Sequence, residues 1–173
     1  MNEQELITKI KQGKLFIYPI DTIYGIGCDA TNIASVNKIK TIKLRDNKPF
    51  SIIAPSMKWI KDNCIVDVEL EKYLPGSYTI ILKKKNPAFL SWVSNTDSLG
   101  IRIPNNEFCK KIQKSGLPFI TTSVNLSGEP FAKSIKEIKQ EIKNKVDVII
   151  DVGELSGNPS TLIINGEQVQ RTG

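Results

Sequence analysis

Short apolar runs alternating with segments of helical periodicity constrain this chain most. KLFIYP (apolar at 15–18), PFSIIA (49–54), SYTIILKK (77–84), LGIRI (99–103), LPFITT (117–122), VDVIID (146–151) and STLIIN (160–165) have the length and side chains of strands. Between them, residues 3–12 place Leu6, Ile7 and Ile10 on one helix face, with Asn2 as the cap and Gly13 as the stop. Residues 32–43 repeat the pattern through Ile33, Val36, Ile39 and Ile42, and helices are expected near 56–62, 67–74 and 105–115. SIKE at 134–137 has capping-box spacing, ahead of Ile138 and Ile142 in line with Ile135. Interleaving of this kind predicts an α/β fold, a twisted and mostly mixed β-sheet with flanking helices. The length of 173 residues suits one domain, 1–173, with no repeat or linker to divide it.

Four polar clusters fall at the ends of these runs or in the turns after them: DTIYGIG (21–27), KLRDNKP (43–49), TTSVNLSG (121–128) and NPST (158–161). In open α/β sheets ligands bind there, because strand ends aim side chains and backbone amides into one crevice. In the first cluster Gly25 and Gly27 allow close backbone approach and Thr22 supplies a hydroxyl, although by itself the segment reads as an ordinary strand-to-helix connection. It matches neither the dinucleotide fingerprint nor the P-loop. Lys43, Arg45 and Lys48 put three cations into six residues, a set suited to a polyphosphate, while an isolated basic turn is ordinarily solvated surface. Thr121, Thr122, Ser123, Asn125 and Ser127 form a denser hydroxyl and amide patch than a turn requires.

The chain has no histidine, which excludes imidazole acid–base chemistry, Ser-His-Asp triads and H-E-x-x-H zinc sites. Cys28, Cys64 and Cys109 are odd in number and widely spaced, so they read as small apolar side chains and not as a metal site or disulfide frame. A net charge of +6, from 24 Lys plus Arg against 18 Asp plus Glu, suits an anionic partner such as a nucleotide or RNA. Many of the lysines, in KEIKQEIKNK and KKKNP, read as solvated surface. No apolar run has membrane-spanning length and the N-terminus lacks a signal-peptide layout, so a cytoplasmic location is expected.

Taken in order, PIDTIYGIGCDA, KLRDNKPFSIIA, LPGSYTIIL, GIRIPNN, TTSVNLSGEP, STLII and the final RTG resemble the YrdC-like threonylcarbamoyl-adenylate synthase family, in its short single-domain form. The resemblance implies a twisted α/β fold around a basic concave cavity. It also implies synthesis of L-threonylcarbamoyladenylate and pyrophosphate from L-threonine, bicarbonate and ATP. Other proteins then transfer the threonylcarbamoyl group to tRNA. By this resemblance Lys43 and Arg45 are the catalytic pair on the ATP phosphates, joined at the nucleotide by Lys48, Ser123, Asn125 and Arg171. Arg102 is expected on the threonine carboxylate, with Thr22, Tyr24, Thr121, Thr122 and Ser160 around that amino acid, and the glycines of DTIYGIG leave it room. Mg²⁺ is expected on the phosphates and not on a protein cage. The chain departs from the family at Val124, where alanine is usual and a narrower nucleotide site follows, at Phe131, often serine, and at Ile53, a threonine-binding histidine in longer members.

Two other classes fit the charge. One is an RNA-binding or ribosome-assembly module of the same fold without adenylate synthesis. The other is a structural partner in a tRNA-modification complex. If the charge serves a nucleotide pocket, RNA binding is expected to be weak and to fade as salt rises.

Overall fold

The computed structural model describes residues 1–44 and 48–169. Its strands are β1 (Phe16–Ile20), β2 (Ile23–Gly27), β3 (Ser51–Ile53), β4 (Cys64–Ile65), β5 (Tyr78–Lys84), β6 (Ser98–Arg102), β7 (Phe119–Ser123), β8 (Val148–Ile149), β9 (Thr161–Ile164) and β10 (Glu167–Val169). They form one mixed sheet in the order β10-β9-β5-β6-β3-β7-β2-β1-β8, with β4 added beside β5. β3 runs parallel to β6, β5 to β9 and β1 to β8, and the remaining pairs are antiparallel. The helices are α1 (Glu3–Lys11), α2 (Ile33–Lys43), α3 (Met57–Asn63), α4 (Glu107–Gln113) and the short α5 (Gln140–Lys143).

Local chemistry sets the helix ends. Asn2 and Glu5 form a capping box on α1, and Asn32, Ser56 and Asn106 cap α2, α3 and α4 through their side-chain oxygens. Gly13, with φ 74°, turns the chain out of α1.

Strand alternation divides the core between the two faces of the sheet. Leu15, Ile17, Ile26, Ile52, Ile80, Ile101, Ile120 and Ile163 face the larger cluster, which α2 completes with Val36, Ile39 and Ile42. Phe16, Tyr18, Ile20, Ile53 and Phe119 face the other side, under Leu6 and Ile10 of α1 and Cys109 and Ile112 of α4. Phe119 meets Phe16 and Tyr18 edge-on, with ring centroids 5.8 and 5.5 Å apart. On this second face the apolar cover stops short. Beyond Ile53 and Phe119 the inward positions of β3, β5 and β7 become Ser51, Thr79 and Thr121, and that half of the face lines a cavity.

The structure departs from the sequence reading in several places. DTIYGIG is a hairpin turn followed by strand β2, because Ile20 and Ile23 pair directly across Asp21 and Thr22. β1 continues through Pro19, which the sheet tolerates because β8 pairs only with Phe16 and Ile17. The expected helix at 67–74 is a single 3₁₀ turn, Leu70–Lys72. The capping box at Ser134 forms, yet the chain straightens at Ile138 (φ −82°, ψ 130°) and α5 runs only over Gln140–Lys143. Lys84, in a turn read as solvated, is an inward position of β5: it is 3% exposed and donates to the carbonyls of Pro87, Phe89 and Ser94, each at 2.9 Å.

Candidate active site

The cavity measures about 620 Å³ and draws wall residues from all four polar clusters. The last turn of α2 brings Lys43, the entry to β3 brings Lys48, Phe50 and Ser51, and the end of β6 brings Arg102. β7 and the turn after it supply Thr121, Thr122, Ser123, Asn125 and Ser127, while the entry to β9 supplies Ser160 opposite Thr79 of β5. The sheet thus gathers Lys43, Lys48, Ser123 and Asn125 of the expected nucleotide set with Arg102, Thr121, Thr122 and Ser160 of the expected threonine set. Arg45 and Arg171 lie outside the described residues.

Lys43 is 4% exposed, and its ammonium donates to the backbone carbonyls of Ser123 and Asn125, both at 2.5 Å. A helix and the turn after β7 are tied together by a held positive charge, which the C-terminal end of α2 also favours. The Asn125 amide donates to the carbonyls of Leu126 and Glu129 at 3.1 and 2.7 Å, which turns its Oδ1 elsewhere. Arg102, also on the wall, is 6% exposed and forms an ion pair with Asp21 through Nη2. Ser160 and Thr79 share a hydrogen bond of 2.7 Å between their hydroxyls.

Among the described residues, three buried side-chain polar atoms have no hydrogen-bond partner: Arg102 Nε, Thr121 Oγ1 and Asn125 Oδ1. All three belong to residues of this wall. Leaving such a group unmet costs about 1–3 kcal/mol, and this cost is concentrated in side chains that also line the cavity. The wall charges among the described residues are Lys43, Lys48 and Arg102 against Glu129. Glu129 is held by Lys139 at 2.5 Å, which lowers its pKa first through that hydrogen bond.

Thr22 and Tyr24, expected around the threonine, are not among the residues lining this cavity. Thr22 is not on the wall: its hydroxyl donates to the Asn158 carbonyl and accepts from the Asn158 N–H at 3.0 Å. Tyr24 is fully buried; its hydroxyl donates to the Gly153 carbonyl at 2.8 Å and accepts from the Val152 N–H at 2.9 Å. Burial is the main cause that raises its pKa. Both residues pin the irregular segment that ends in Pro159 and Ser160 at the cavity. Gly25 and Gly27 are required by the sheet itself. A Cβ on Gly27 would stand 2.1 Å from the Ile120 carbonyl oxygen, and one on Gly25 1.9 Å from Ile20 Cδ1.

Of the sequence departures, Ile53 is fully buried in the apolar cluster on this face. Val124 is buried in the main core and is not among the residues lining this cavity, whereas Phe131 is. Sequence reasoning missed Ser51, Thr79, Ile20 and Ile23 as wall residues. The first two carried a readable signal, a single hydroxyl at an inward position of an otherwise apolar strand.

The fold and cavity together define a ligand-binding α/β protein whose open half-sheet is set with buried polar groups. The chain belongs to the Sua5/YciO/YrdC family: the family model Sua5_yciO_yrdC, described as "Telomere recombination", matches residues 8–173. A relative from Methanocaldococcus jannaschii is 38% identical over 176 residues, covering 94% of this chain and 83% of that protein. The threonylcarbamoyl-AMP synthase of Wigglesworthia glossinidia brevipalpis is 35% identical over 175 residues, covering 93% and 88%. Among solved structures, P. abyssi Sua5 in complex with L-threonine superposes with a TM-score of 0.81 at 28% identity, covering 94% of this chain and 50% of that one. E. coli YciO gives 0.81 at 26% identity, covering 94% and 82%. This chain spans about half the length of the P. abyssi protein. Among the described residues no helix is long and apolar enough to cross a membrane.

Proposed function

We propose that this chain is a threonylcarbamoyl-AMP synthase, which converts L-threonine, bicarbonate and ATP into L-threonylcarbamoyladenylate, pyrophosphate and water. The observation that carries this reading is the cavity itself. It combines a buried arginine and a buried lysine with polar atoms that lack partners, in a chain whose family includes enzymes of that name.

Arg102 takes the threonine carboxylate, and Thr121, Thr122 and Ser160 surround the rest of the amino acid. Lys43, Ser123 and Asn125 take the nucleotide with Lys48, and Arg45 and Arg171 join them from outside the described residues. Mg²⁺ bound to the triphosphate would add charge stabilisation at the phosphates, beside Lys43 and Lys48. Thr22 and Tyr24 serve the site by holding the segment that carries Ser160.

The chemistry asks little of side-chain acids or bases. The threonine amine bonds to the bicarbonate carbon with loss of water, giving a carbamate. A carbamate oxygen then attacks the α-phosphorus in line, the bond to the β-phosphate breaks, and pyrophosphate leaves with the electron pair. Such a step rests on positioning and on fixed charge near the phosphates. Buried Lys43, anchored by two carbonyls, is suited to that task without reorganising, and the lack of histidine is no obstacle. The product is a labile mixed anhydride, which other proteins take up to modify tRNA in the cytoplasm.

Pyrophosphate release by the pure protein tests the proposal. It is expected only when L-threonine, bicarbonate and ATP are all present. Release that ignores L-threonine, or none at high protein concentration, overturns the reading.

A further inference from the structure

We infer that Asp21 is a positioning residue for Arg102: its carboxylate, fixed in the β1–β2 turn, clamps one terminal nitrogen of the guanidinium and so sets the plane in which Arg102 meets an incoming carboxylate. The inference rests on the threonine role given to Arg102 above.

Three observations meet at this pair. First, the Asp21–Arg102 ion pair is buried, with side chains 9% and 7% exposed, whereas every other ion pair among the described residues joins side chains at least 37% exposed. Second, Arg102 Nε is buried and unpartnered although Nη2 is engaged, so the cation is oriented but not satisfied. Third, the turn does not require an acid. Asp21 has φ 50°, a left-handed conformation that asparagine or glycine adopts as readily. Backbone geometry therefore accounts for the shape at this position and not for its charge.

The support under Asp21 is rigid. Ile20 pairs with Ile23 across the turn, the Tyr24 N–H donates to the Ala132 carbonyl at 2.8 Å, and Asn106 reaches the Pro19 carbonyl at 3.4 Å. A guanidinium presents its donors in one plane, so fixing Nη2 fixes the direction of the remaining donors as well. Without the carboxylate, Arg102 is a lone buried charge that gains by swinging toward any other acceptor. The two-carbon side chain of Asp21 thus sets where the substrate carboxylate docks, without touching it.

Asp21→Asn tests this, because asparagine keeps the shape, the turn and one acceptor while removing the charge. Steady-state pyrophosphate release is measured with each substrate varied, alongside calorimetric titration with L-threonine and the unfolding midpoint. The threonine KM is expected to rise about tenfold, with the ATP KM and kcat within about twofold of the parent. Asp21→Gly, which keeps the turn and removes the acceptor, is expected to raise the threonine KM further. In an Arg102→Ala background Asp21→Asn is expected to add nothing, because the residue through which it acts is gone. An unchanged or lower threonine KM, an equal rise in both KM values, or full additivity with Arg102→Ala overturns the inference. Calorimetry separates the two levels: if the parent does not bind L-threonine, the functional reading falls and this inference with it. Equal binding by parent and Asp21→Asn overturns the inference alone.

Discussion

Arg102 and Lys43 both line one cavity, and each is held by a different kind of acceptor: a carboxylate for Arg102 and backbone carbonyls for Lys43. That difference predicts separable phenotypes. Arg102→Ala is expected to raise the threonine requirement by roughly 30- to 150-fold, the loss of about 2–3 kcal/mol for a charge-assisted contact, with little change in the ATP KM. Arg102→Lys recovers only part of this, since it keeps the charge and loses the planar fork. Kinetics with each substrate varied check the assignment, and an effect on ATP in place of threonine contradicts it. The cysteines give a second prediction at this scale. All three are buried; burial pushes the Cys64 thiol up to about 11 and Cys109 to about 12, and Cys28 further in the same direction. The folded protein is therefore expected to resist a thiol reagent near pH 8 and to expose three reactive thiols on denaturation. A thiol that reacts at once in the folded protein contradicts this burial. Residue types were legible in the sequence here, but their surroundings were not. Lys84 looks like one of three equivalent lysines in KKKNP, and only the alternation of β5 turns it inward to its three carbonyls.

The element that most needed the structure is β2. Its sequence, IYGIG, carries two glycines and reads as a connection, because β-propensity penalises glycine and one of its two partner strands, β7, is distant in sequence. The physical reason for Gly27 is the backbone of β7, whose Ile120 carbonyl oxygen lies 2.1 Å from the site of a Cβ. A carbonyl in a sheet ladder cannot step aside as a flexible side chain can. Gly27→Ala is expected to destabilise the fold by about 1–3 kcal/mol, as overpacking with a backbone shift does, read as a lower urea midpoint. A midpoint within experimental error of the parent contradicts the close packing of β2 on β7. The helices near 67–74 and 134–142 fell short of expectation for the opposite reason. Periodic apolar positions were present, yet Leu70 and Ile142 each reach the core from a single turn.

At the scale of the whole molecule, alternating strands and helices made the mixed α/β sheet legible, and the four polar clusters marked one crevice. Strand order was not legible, since β3 lies between β6 and β7 and β9 beside β5 through contacts distant in sequence. For the same reason Thr22 and Tyr24 could not be told from wall residues. The hairpin directs them toward the segment 151–158, and only tertiary placement reveals it. What the sheet achieves is an open half-face, polar where the rest is apolar, on which two substrates can meet. The direct test of that meeting is to incubate the pure protein with ATP, L-threonine and carbon-labelled bicarbonate and to follow the label. The expected result is label in a nucleotide-containing product that also contains threonine, formed in equal amount to pyrophosphate and abolished by omitting any one substrate. Folded protein that releases no such product at high concentration, or that puts label into a product lacking the adenylate, contradicts it.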